Sequence, residues 1–428
     1  MENNKPYRIV MLLENASYPH DCRVLLEAMS LVEAGHRVSV VGPTSKCDTK
    51  AFEILDGVYV YRYPAPIEFD GVLGYAVEFT YSFVVAWLYS TYILLRHGFD
   101  AVHIHMPPDL NGLLGAYYRL LGKKFVMDHH DLSPELFGAK GKSSSVLLNL
   151  LLFFERTSCR WANRLISTNS TQRKTQIHRG GARPEHCAIV RNGPADFFLD
   201  GDQEPVRFTE DPEIKIIGYV GAMGSQDGVD SLVRVAHHLR TTLNRNDFLV
   251  VIVGAGPAVP QLKALVNKLD LNDLVLFSGL VPFPEVPSYI KSFDICVTPD
   301  PSNPYNDSCT TIKTMEYMAL YKPTVAFDTF ENRVTAQEAA LYAANNDELE
   351  FARKLLMLMD DPQMRECLGQ KGRERIERSL SWAKQKDHLL EVYDSLVRGD
   401  NLRSFAYHDN TVEAEPASST ADSEVVGT

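Results

Sequence analysis

The sequence predicts an α/β protein with two doubly wound, Rossmann-like domains, each built on a parallel sheet. Short apolar runs rich in β-branched residues alternate with longer helical stretches, which is typical of parallel sheets that carry helices on both faces. The runs form two successive sets, and a charged stretch with prolines separates them. The length of 428 residues also suits two domains of ordinary size.

The predicted strands divide between an N-terminal domain over residues 1–200 and a C-terminal domain over residues 201–385. The boundary falls in Phe198–Pro212, where acidic residues alternate with chain breakers. From Gly399 to residue 428 the chain becomes acidic, polar and small, which predicts a disordered tail without a packing role. The predicted strands are Arg8–Leu13, Arg37–Val41, Val58–Tyr61, Ala101–His105, Lys124–Asp128, Leu165–Thr168 and Ala188–Arg191, then Ile214–Val220, Phe248–Val253, Val275–Phe277, Ile295–Thr298, Thr324–Phe327 and Ala340–Tyr342.

Composition narrows the class of protein. Hydrophobic residues make up 45% of the chain and charged residues 23%, which is typical of a globular protein with well-filled cores. The formal net charge of -12 argues against nucleic acid as a partner. The seven cysteines show no C-x-x-C spacing, and the polar N-terminus leads directly into a strand without a signal peptide. These features predict a cytoplasmic protein with reduced thiols.

Two apolar stretches of the N-terminal half raise the question of a membrane. Phe79–Leu95 carries no charge but contains several hydroxyl groups, and Val146–Phe154 is strongly apolar. Both are too short or too polar for a transmembrane span, so we predict buried helices. The alternative is a peripheral contact, in which the N-terminal domain rests on a bilayer.

The most informative segment is Ser308–Pro323, which is predicted to be a loop followed by a short helix. Lys313 and Glu316 are three residues apart and share one face near the start of that helix. The lysine and the unpaired backbone amides of the first turn favour a phosphate, and the glutamate is an acceptor for sugar hydroxyls. Together they suit a nucleotide-sugar. The alternative is an ordinary amphipathic helix with one solvated Lys/Glu pair.

Two glycine-containing turns follow the first two strands of the C-terminal half. Gly221 lies in the first turn, and Gly254 and Gly256 lie in the second. Glycine lets a backbone approach a diphosphate closely. An ordinary turn at the end of a strand is the alternative, because a lone glycine-rich turn is weak support for a phosphate site.

In the N-terminal half, the sequence Asp128-His129-His130-Asp131 follows a predicted strand. An imidazole there can exchange hydrogen bonds with sugar hydroxyls near neutral pH. The alternative is a capping aspartate beside a histidine that bonds within the protein. His103 and His105 lie on one face of a strand, and without a third ligand in sequence we predict a hydrogen-bonded core and no metal site.

The ordered set of motifs resembles the family-four retaining glycosyltransferases, two-domain enzymes of the GT-B architecture, from about Tyr7 to Tyr393. The donor helix of that family usually reads E-x7-E-A-M-A-x-G-x-P. Glu316 matches its second glutamate, whereas Ser308 takes the place of the first. Its first glycine turn usually reads V-G-R-x4-K-G, and here Ala222 and Asp227 stand where the arginine and lysine are expected.

The resemblance implies a role for each matching residue. His130 and Asp131 face the transferred sugar, Lys313 holds the diphosphate, and Glu316 holds the ribose hydroxyls. Arg23 or Asp21 reaches the donor, although Asp21 suits a helix cap equally well. The remaining donor-side positions are Gly221, Ala222, Gly254 and Gly256 in the turns, Val281 and Pro282 against the base, Asn192 at the hinge, and Ser308, Thr310, Thr311 and Ile312 before and at the helix.

The implied activity is transfer of a sugar from a nucleoside-diphosphate sugar to a hydroxyl of a glycan or lipid-linked acceptor, with retention and without a cofactor. The setting implied is polysaccharide or glycoconjugate synthesis at the inner face of the membrane. A helix over residues 386–398 is expected to cross back onto the N-terminal domain, with Trp382 and Tyr393 as packing residues. The alternatives are a nucleotide-sugar epimerase or phosphorylase, and a non-catalytic partner, which the changes at Ala222, Asp227 and Ser308 would suit.

Overall fold

The computed structural model describes residues 6–45, 47–66, 71–139, 144–200 and 203–407. Its strands form two separate sheets, one before and one after the predicted boundary. The first sheet contains β1 (Arg8–Leu12), β2 (Arg37–Pro43), β3 (Phe52–Leu55), β4 (Val58–Tyr63), β5 (Ala101–Met106), β6 (Lys124–His129), β7 (Arg164–Ser167) and β8 (Cys187–Ile189). The second contains β9 (Lys215–Val220), β10 (Phe248–Val253), β11 (Val275–Gly279), β12 (Ile295–Thr298), β13 (Thr324–Phe327) and β14 (Ala340–Ala343).

Helices connect the strands. Those of the first half are α1 (Cys22–Glu33), α2 (Gly71–Arg96), α3 (Gly112–Leu120), α4 (Ser133–Ala139), α5 (Ser145–Trp161), α6 (Ser170–His178) and α7 (Phe197–Asp200). Those of the second half are α8 (Val229–Thr241), α9 (Val259–Lys268), α10 (Val286–Lys291), α11 (Ile312–Ala319), α12 (Phe330–Ala336), α13 (Glu348–Asp360), α14 (Pro362–Arg375) and α15 (Trp382–Arg398). None of the helices in the described ranges combines the length and apolar character that crossing a membrane requires.

The strand order creates one crevice in each sheet. The first sheet runs β3-β4-β2-β1-β5-β6-β7-β8 and the second runs β11-β10-β9-β12-β13-β14. The order reverses beside β1 in the first sheet and beside β9 in the second. Ligands of doubly wound sheets bind where the order reverses, at the carboxyl ends of the strands. The loops that follow β1, β5, β9 and β12 therefore border the expected site.

Every apolar run predicted from the sequence overlaps a strand, but the analysis missed β3. This strand pairs antiparallel with β4 at the edge of the first sheet, whereas the other described strand pairs are parallel. Phe52 and Ile54 are exposed on it, so its residues lack the continuous apolar character of a buried parallel strand. Asp56 and Gly57 form the turn of this hairpin with positive φ angles of 48° and 85°.

Two helical layers cover the first sheet. Side chains of α2, α3 and α5 pack with Val10 and Leu12 of β1 on one face. On the other face, α1 packs with α15, whose Trp382 and Tyr393 are buried as predicted. The crossover helix begins at Trp382, before the predicted start at residue 386. Through α15, the chain that follows the C-terminal domain packs on the N-terminal domain.

Two sequence predictions are wrong. Leu402 and Ala406 are buried in the core of the N-terminal domain, so residues 399–407 pack and are not a disordered tail; residues 408–428 lie outside the described ranges. The apolar stretches in α2 and α5 are not simply buried either. Leu95 is 83% exposed on α2, and Val146 is 78% exposed on α5. The sequence pattern could not distinguish these exposed apolar faces from core faces.

The turns after β9 and β10 pack against each other, and this contact explains why Gly254 and Gly256 are glycines. Gly254 has φ +132°, and a Cβ there would lie 2.0 Å from the carbonyl oxygen of Gly221. A Cβ at Gly256 would lie 2.4 Å from the carbonyl oxygen of Met223. The close approach that these glycines permit is therefore first of all an approach between two backbone segments.

We expect Gly254→Ala to lower the free energy of unfolding by about 1–3 kcal/mol, because alanine meets both a forbidden φ and a backbone oxygen. The midpoint of urea unfolding measures this. Gly138→Ala in α4 is the matched control, since a Cβ there meets open space and should be neutral or slightly stabilising. Equal midpoints for the two variants would mean that the turns can separate freely.

Candidate active site

The two crevices meet through a loop of the C-terminal domain, residues 299–311, which joins β12 to α11. The hydroxyl of Tyr305 in this loop donates to Asp131 Oδ1 at 3.1 Å. From the N-terminal domain, Asn169 Nδ2 donates to the carbonyl of Ser308 at 2.9 Å and to Thr310 Oγ1 at 3.0 Å. The cleft between the domains is therefore bordered by His130–Asp131 on one side and by the start of α11 on the other.

His130 is held by a carboxylate from the preceding strand. Its Nε2 lies 2.7 Å from Asp128 Oδ2 and 3.1 Å from His105 Nδ1. Because an ionised carboxylate only accepts, this contact assigns the proton to Nε2. The Nδ1 atom has no hydrogen-bond partner among the described residues, and 18% of the side chain is exposed. Nδ1 is thus the atom that His130 offers to a ligand.

Asp128 is fully buried and is held in turn by Arg23 of α1. Arg23 donates through Nε to Oδ2 and through Nη2 to Oδ1, both at 2.9 Å. It also donates to the carbonyl of Val190 and to Asn192 Oδ1, each at 2.9 Å. The prediction that Arg23 reaches the donor is wrong, because its guanidinium points into the domain. Asp21 instead caps α1 by accepting from the amide of Val24 at 3.0 Å.

The electrostatics follow from this geometry. Burial alone would raise the pKa of Asp128, but the charges of Arg23 and His130 hold it well below its usual value. Burial opposes the charge on His130, and the nearby Asp128 carboxylate outweighs it, so the pKa of His130 is raised. Burial and Asp128 together raise the pKa of Glu27 to about 8. His130 therefore carries more positive charge near neutral pH than a free histidine would.

His103 and His105 form part of the same buried cluster, and each makes a hydrogen bond through Nδ1. His103 Nδ1 meets the hydroxyl of Tyr393 at 2.9 Å, and His105 Nδ1 meets Asp128 at 3.1 Å. The fold adds what sequence spacing could not show, since Glu27 and Asp128 place carboxylate oxygens beside both imidazoles, with all four ligand atoms within 4.8 Å. Arg23 already brings a positive charge to both carboxylates. The arginine thus balances part of the negative charge of this buried cluster.

Glu316 lies on the first turns of α11 and is unusual in having a free carboxylate. It is 7% exposed and has no hydrogen bond or ion pair within the described part of the chain. Burial raises its pKa to about 7, and the charge of Lys313 opposes that rise. Its charge also contributes, after burial, to the raised pKa of Cys22 at the start of α1. Glu316 therefore lies close enough to α1 of the N-terminal domain to affect Cys22, and its carboxylate oxygens have no partner among the described residues.

Lys313, predicted to hold the diphosphate, forms an ion pair with Asp300. Its Nζ lies 2.8 Å and 2.9 Å from the two carboxylate oxygens of Asp300, and 4.9 Å from the ring centroid of Tyr219. Burial lowers its pKa, but Asp300 and then Asp227 outweigh this, so the pKa of Lys313 is raised. Lys313 stays charged, and its charge is shared with carboxylates of the two loops beside it.

The loop residues predicted to bind the donor also make hydrogen bonds within the protein. Ser308 Oγ donates to the carbonyl of Tyr305 at 2.7 Å. Thr310 Oγ1 accepts from Asn169 and lies 3.4 Å from Arg191 Nη1. Thr311 is the N-cap of α11, but its hydroxyl meets Thr314 Oγ1 at 3.0 Å and makes no capping hydrogen bond to the helix. The amides of the first turn, which begins at Ile312, are therefore left without a side-chain cap.

The other predicted donor positions lie around α11. Ala222 is exposed and its carbonyl accepts from the hydroxyl of Tyr219 at 2.6 Å. Val281 packs against the core, and Pro282 is exposed at the start of a 3₁₀ turn. Asn192 lies at the hinge, bonded to Arg23. Asp131 contacts Tyr305 in the loop of the C-terminal domain, whereas His130 is held by Asp128 of its own domain.

Sequence reasoning missed three residues that organise this site. Asp128 appears in the sequence analysis only within a motif, and neither Asp300 nor Tyr305 carries a sequence signal of its own. The signal for Asp128 was a carboxylate at the end of an otherwise apolar strand. Arg23 and Glu27, four apart on the buried face of α1, were the matching signal, because a charged pair on an apolar helix face requires a buried partner.

Two parallel α/β domains that meet across a cleft of this kind define a protein of the GT-B class. Residues 23–193 match the family profile described as Glycosyl transferase 4-like domain, and residues 214–361 match the profile described as Glycosyl transferases group 1. The two matches cover about three quarters of the 428 residues. The chain belongs to the group 1, family-four type of glycosyltransferases, as the resemblance predicted.

Relatives and solved structures agree with this assignment. The chain is 27% identical over 314 residues to the D-inositol 3-phosphate glycosyltransferase of Thermomonospora curvata, covering 69% of this chain and 71% of that protein. It is 24% identical over 392 residues to the α-D-kanosaminyltransferase of Streptomyces kanamyceticus, covering 87% and 97%.

The solved structures similar to this chain confirm the GT-B fold. Sucrose-phosphate synthase from Thermosynechococcus elongatus superposes with a TM-score of 0.76 at 17% identity, covering 92% of this chain and all of that one (100%). HepE from Anabaena, solved in complex with UDP-glucose, gives 0.66 at 14% identity over 91% and 100% of the two chains. At these identities the likeness establishes the architecture alone.

We expect Asp128→Asn to lower the pKa of His130, because the charge that stabilises the imidazolium is removed, and to reduce transfer by about 100-fold through misplacement of the ring. The histidine titration followed by NMR and the pH profile of turnover measure these effects. Asp100→Asn, which removes the surface partner of Arg8 before β5, is the control and should change neither. An unshifted pH profile in Asp128→Asn would show that Asp128 is structural only.

Proposed function

We propose that the protein transfers a sugar from a nucleoside-diphosphate sugar to an acceptor hydroxyl with retention of the anomeric configuration. The observation that carries this proposal is the unpartnered, nearly buried carboxylate of Glu316 beside the charged Lys313 at the uncapped start of α11. A carboxylate left without a partner in an enclosed place costs free energy, and a ligand's hydroxyl groups would recover it.

On the donor side, the first amides of α11 and Lys313 bind the diphosphate, and Glu316 accepts from the ribose hydroxyls. Val281 and Pro282 lie one loop away and pack the base. Asp227 and Asp300 keep Lys313 charged and in place. HepE from Anabaena, which has a similar fold, was solved with UDP-glucose, and this supports a nucleoside-diphosphate donor here.

On the sugar side, His130 offers Nδ1 to a sugar hydroxyl, and Asp131 closes the cleft through Tyr305. The acceptor oxygen attacks the anomeric carbon on the face from which the diphosphate leaves. The bond from that carbon to the diphosphate breaks, and the acceptor proton passes to a departing phosphate oxygen. The positive end of α11 stabilises the charge that develops on the diphosphate.

The acceptor in this proposal is a glycan or lipid-linked glycan, reached at the cytoplasmic face of a membrane. The exposed apolar side chains of α2 and α5 support a peripheral membrane contact of the N-terminal domain, since a soluble domain rarely exposes so many large apolar groups together. Polysaccharide or glycoconjugate synthesis is the setting that this contact fits.

A non-catalytic partner protein is the second candidate. Two observations favour it, namely the ion pair of Lys313 with Asp300 and the use of the Ser308 hydroxyl within its own loop. A scaffold would keep the fold and the inter-domain contacts without binding a donor. The donor experiment below separates the two.

Thermal unfolding against a panel of nucleoside diphosphates and their sugars tests the proposal. A donor at about 100 times its dissociation constant should stabilise the protein by roughly 2.7 kcal/mol, and the shift should be lost in Glu316→Gln. Glu338→Gln, on the surface of the same domain, is the control and should keep the shift. The anomeric configuration of the product, read by NMR, tests retention. If no nucleotide shifts the wild type, the partner-protein function replaces the proposed one.

The raised pKa of Glu316 predicts how stability and donor affinity change with pH. Because its pKa is raised to about 7, the folded protein holds a proton there that the unfolded chain releases near the usual value of 4.5. The stability of the wild type relative to Glu316→Gln is therefore greatest below pH 4.5 and falls as the pH rises from 4.5 to about 7. Donor affinity should move oppositely and rise through this range by about tenfold, since the ionised carboxylate accepts hydroxyl hydrogen bonds better.

We expect substitutions of Lys313 and of its ion-pair partner Asp300 to change donor affinity in opposite directions. Lys313→Ala should weaken donor binding by about tenfold or more, because Asp300 and Asp227 then face the diphosphate unpaired. Asp300→Asn should strengthen it, because more of the lysine charge reaches the ligand. Isothermal titration with the donor identified above measures both. A loss of the same size in both variants would show that the ion pair only supports the loop.

A further inference from the structure

A groove of about 730 Å³ runs along α5 and the end of α6 in the N-terminal domain. Its walls include the apolar side chains of Leu152, Phe153 and Trp161. Three arginines, Arg156, Arg160 and Arg179, also line it. Among the described residues that form its lining, none is acidic.

Two of these arginines carry charge that the protein leaves unbalanced. Arg179 is neutralised, because Glu155 and Glu135 both accept from its guanidinium. Arg156 and Arg160 are exposed and make no ion pair or hydrogen bond within the described ranges. They are four residues apart and so lie on one face of α5. Two like charges side by side repel each other, and an anion between them would relieve this repulsion.

Apolar side chains are also exposed on α2 and α3, the helices that pack beside α5. The hydroxyl of Tyr118 on α3 contacts Ser90 of α2 at 2.7 Å, and Gly112 of α3 packs against Ser158 of α5. The three helices therefore lie side by side. Their exposed large apolar residues are Val77, Val84, Trp87, Leu88, Tyr92 and Leu95 on α2, Tyr117, Leu120 and Leu121 at the end of α3, and Val146, Leu148, Leu150, Phe153 and Trp161 on α5.

These three helices are basic although the chain is acidic. The formal net charge of the chain is -12, so the remainder of the molecule is strongly negative. Arg119 adds a further cation beside the groove, 5.9 Å from the ring centroid of Trp161. Over 71–97, 112–124 and 145–161 the acidic residues are Glu78 and Glu155, against the basic residues Arg96, Arg119, Lys123, Lys124, Arg156 and Arg160.

We infer that the groove binds the phosphate-bearing headgroup of an anionic membrane lipid. Arg156 and Arg160 hold the phosphate, and Phe153 and Trp161 enter the interfacial layer of the bilayer beside it. The charge complementarity selects an anionic lipid surface over a neutral one and over an acidic protein face, since the surrounding residues are apolar. The inference rests on the proposed membrane contact and makes it specific for headgroup charge.

Flotation of the full chain with vesicles tests the inference. The wild type should bind vesicles of phosphatidylcholine with phosphatidylglycerol more tightly than vesicles of phosphatidylcholine alone. The double variant Arg156→Gln, Arg160→Gln should lose roughly ten- to thirty-fold of the affinity for the anionic vesicles, and its residual binding should depend less on salt. Lys263→Gln with Lys268→Gln on α9 removes the same charge from the C-terminal domain and should change nothing.

Three other outcomes would overturn the lipid inference or replace its ligand. Equal losses for the two double variants would show that total charge, not this groove, governs binding and would overturn the inference. Binding of wild type to neutral vesicles at equal strength would do the same. Stabilisation by inorganic phosphate at millimolar concentration, lost in the arginine variant and without vesicle binding, would replace the lipid with a free phosphate. The donor-induced thermal shift should survive in both double variants, so loss of vesicle binding and failure of the proposed transfer are observed separately.

Discussion

The buried ion pair between Arg23 and Asp128 is the interaction on which the N-terminal half of the cleft depends. Each side chain is almost fully withdrawn from water, at 3% and 0% exposure, so each charge requires a buried partner. The pair joins α1 to the end of β6, and Arg23 reaches onward to the hinge at Val190 and Asn192. The orientation of His130 is thus fixed by the same charges that connect the sheet to the hinge.

On the C-terminal side the relevant constraint is the placement of one positive charge. The family usually carries a lysine in the loop after β9, where this chain has Asp227, and Lys313 stands instead on the donor helix. Each residue contributes to the shifted pKa of the other, so the two side chains face the same small region. A positive charge therefore lies on α11 itself, close to the carboxylate of Asp227 in the loop after β9.

The sequence predicted the features that depend on local pattern, and it missed those that depend on distant partners. Apolar runs identified the buried parallel strands because burial on both faces leaves a local signature. The β3–β4 hairpin was missed, although Asp56-Gly57 is a hairpin turn signal, because an edge strand is half exposed. The inward direction of Arg23 and the pairing of Lys313 with Asp300 depend on residues far apart in the chain, and neither side chain alone indicates its partner.

The loop that contacts the N-terminal domain leads directly into α11, and this has a consequence for donor binding. Tyr305, Ser308 and Thr310 contact Asp131 and Asn169 of the other domain, and the chain then enters α11 at once through Thr311. A ligand that draws the first turn of α11 toward its phosphates must therefore act on the loop that touches the N-terminal domain. Asp131 is adjacent in sequence to His130, so a movement of this loop would reach the backbone beside the imidazole. In the proposed reaction we therefore expect donor binding and arrangement of the sugar-binding side to be coupled.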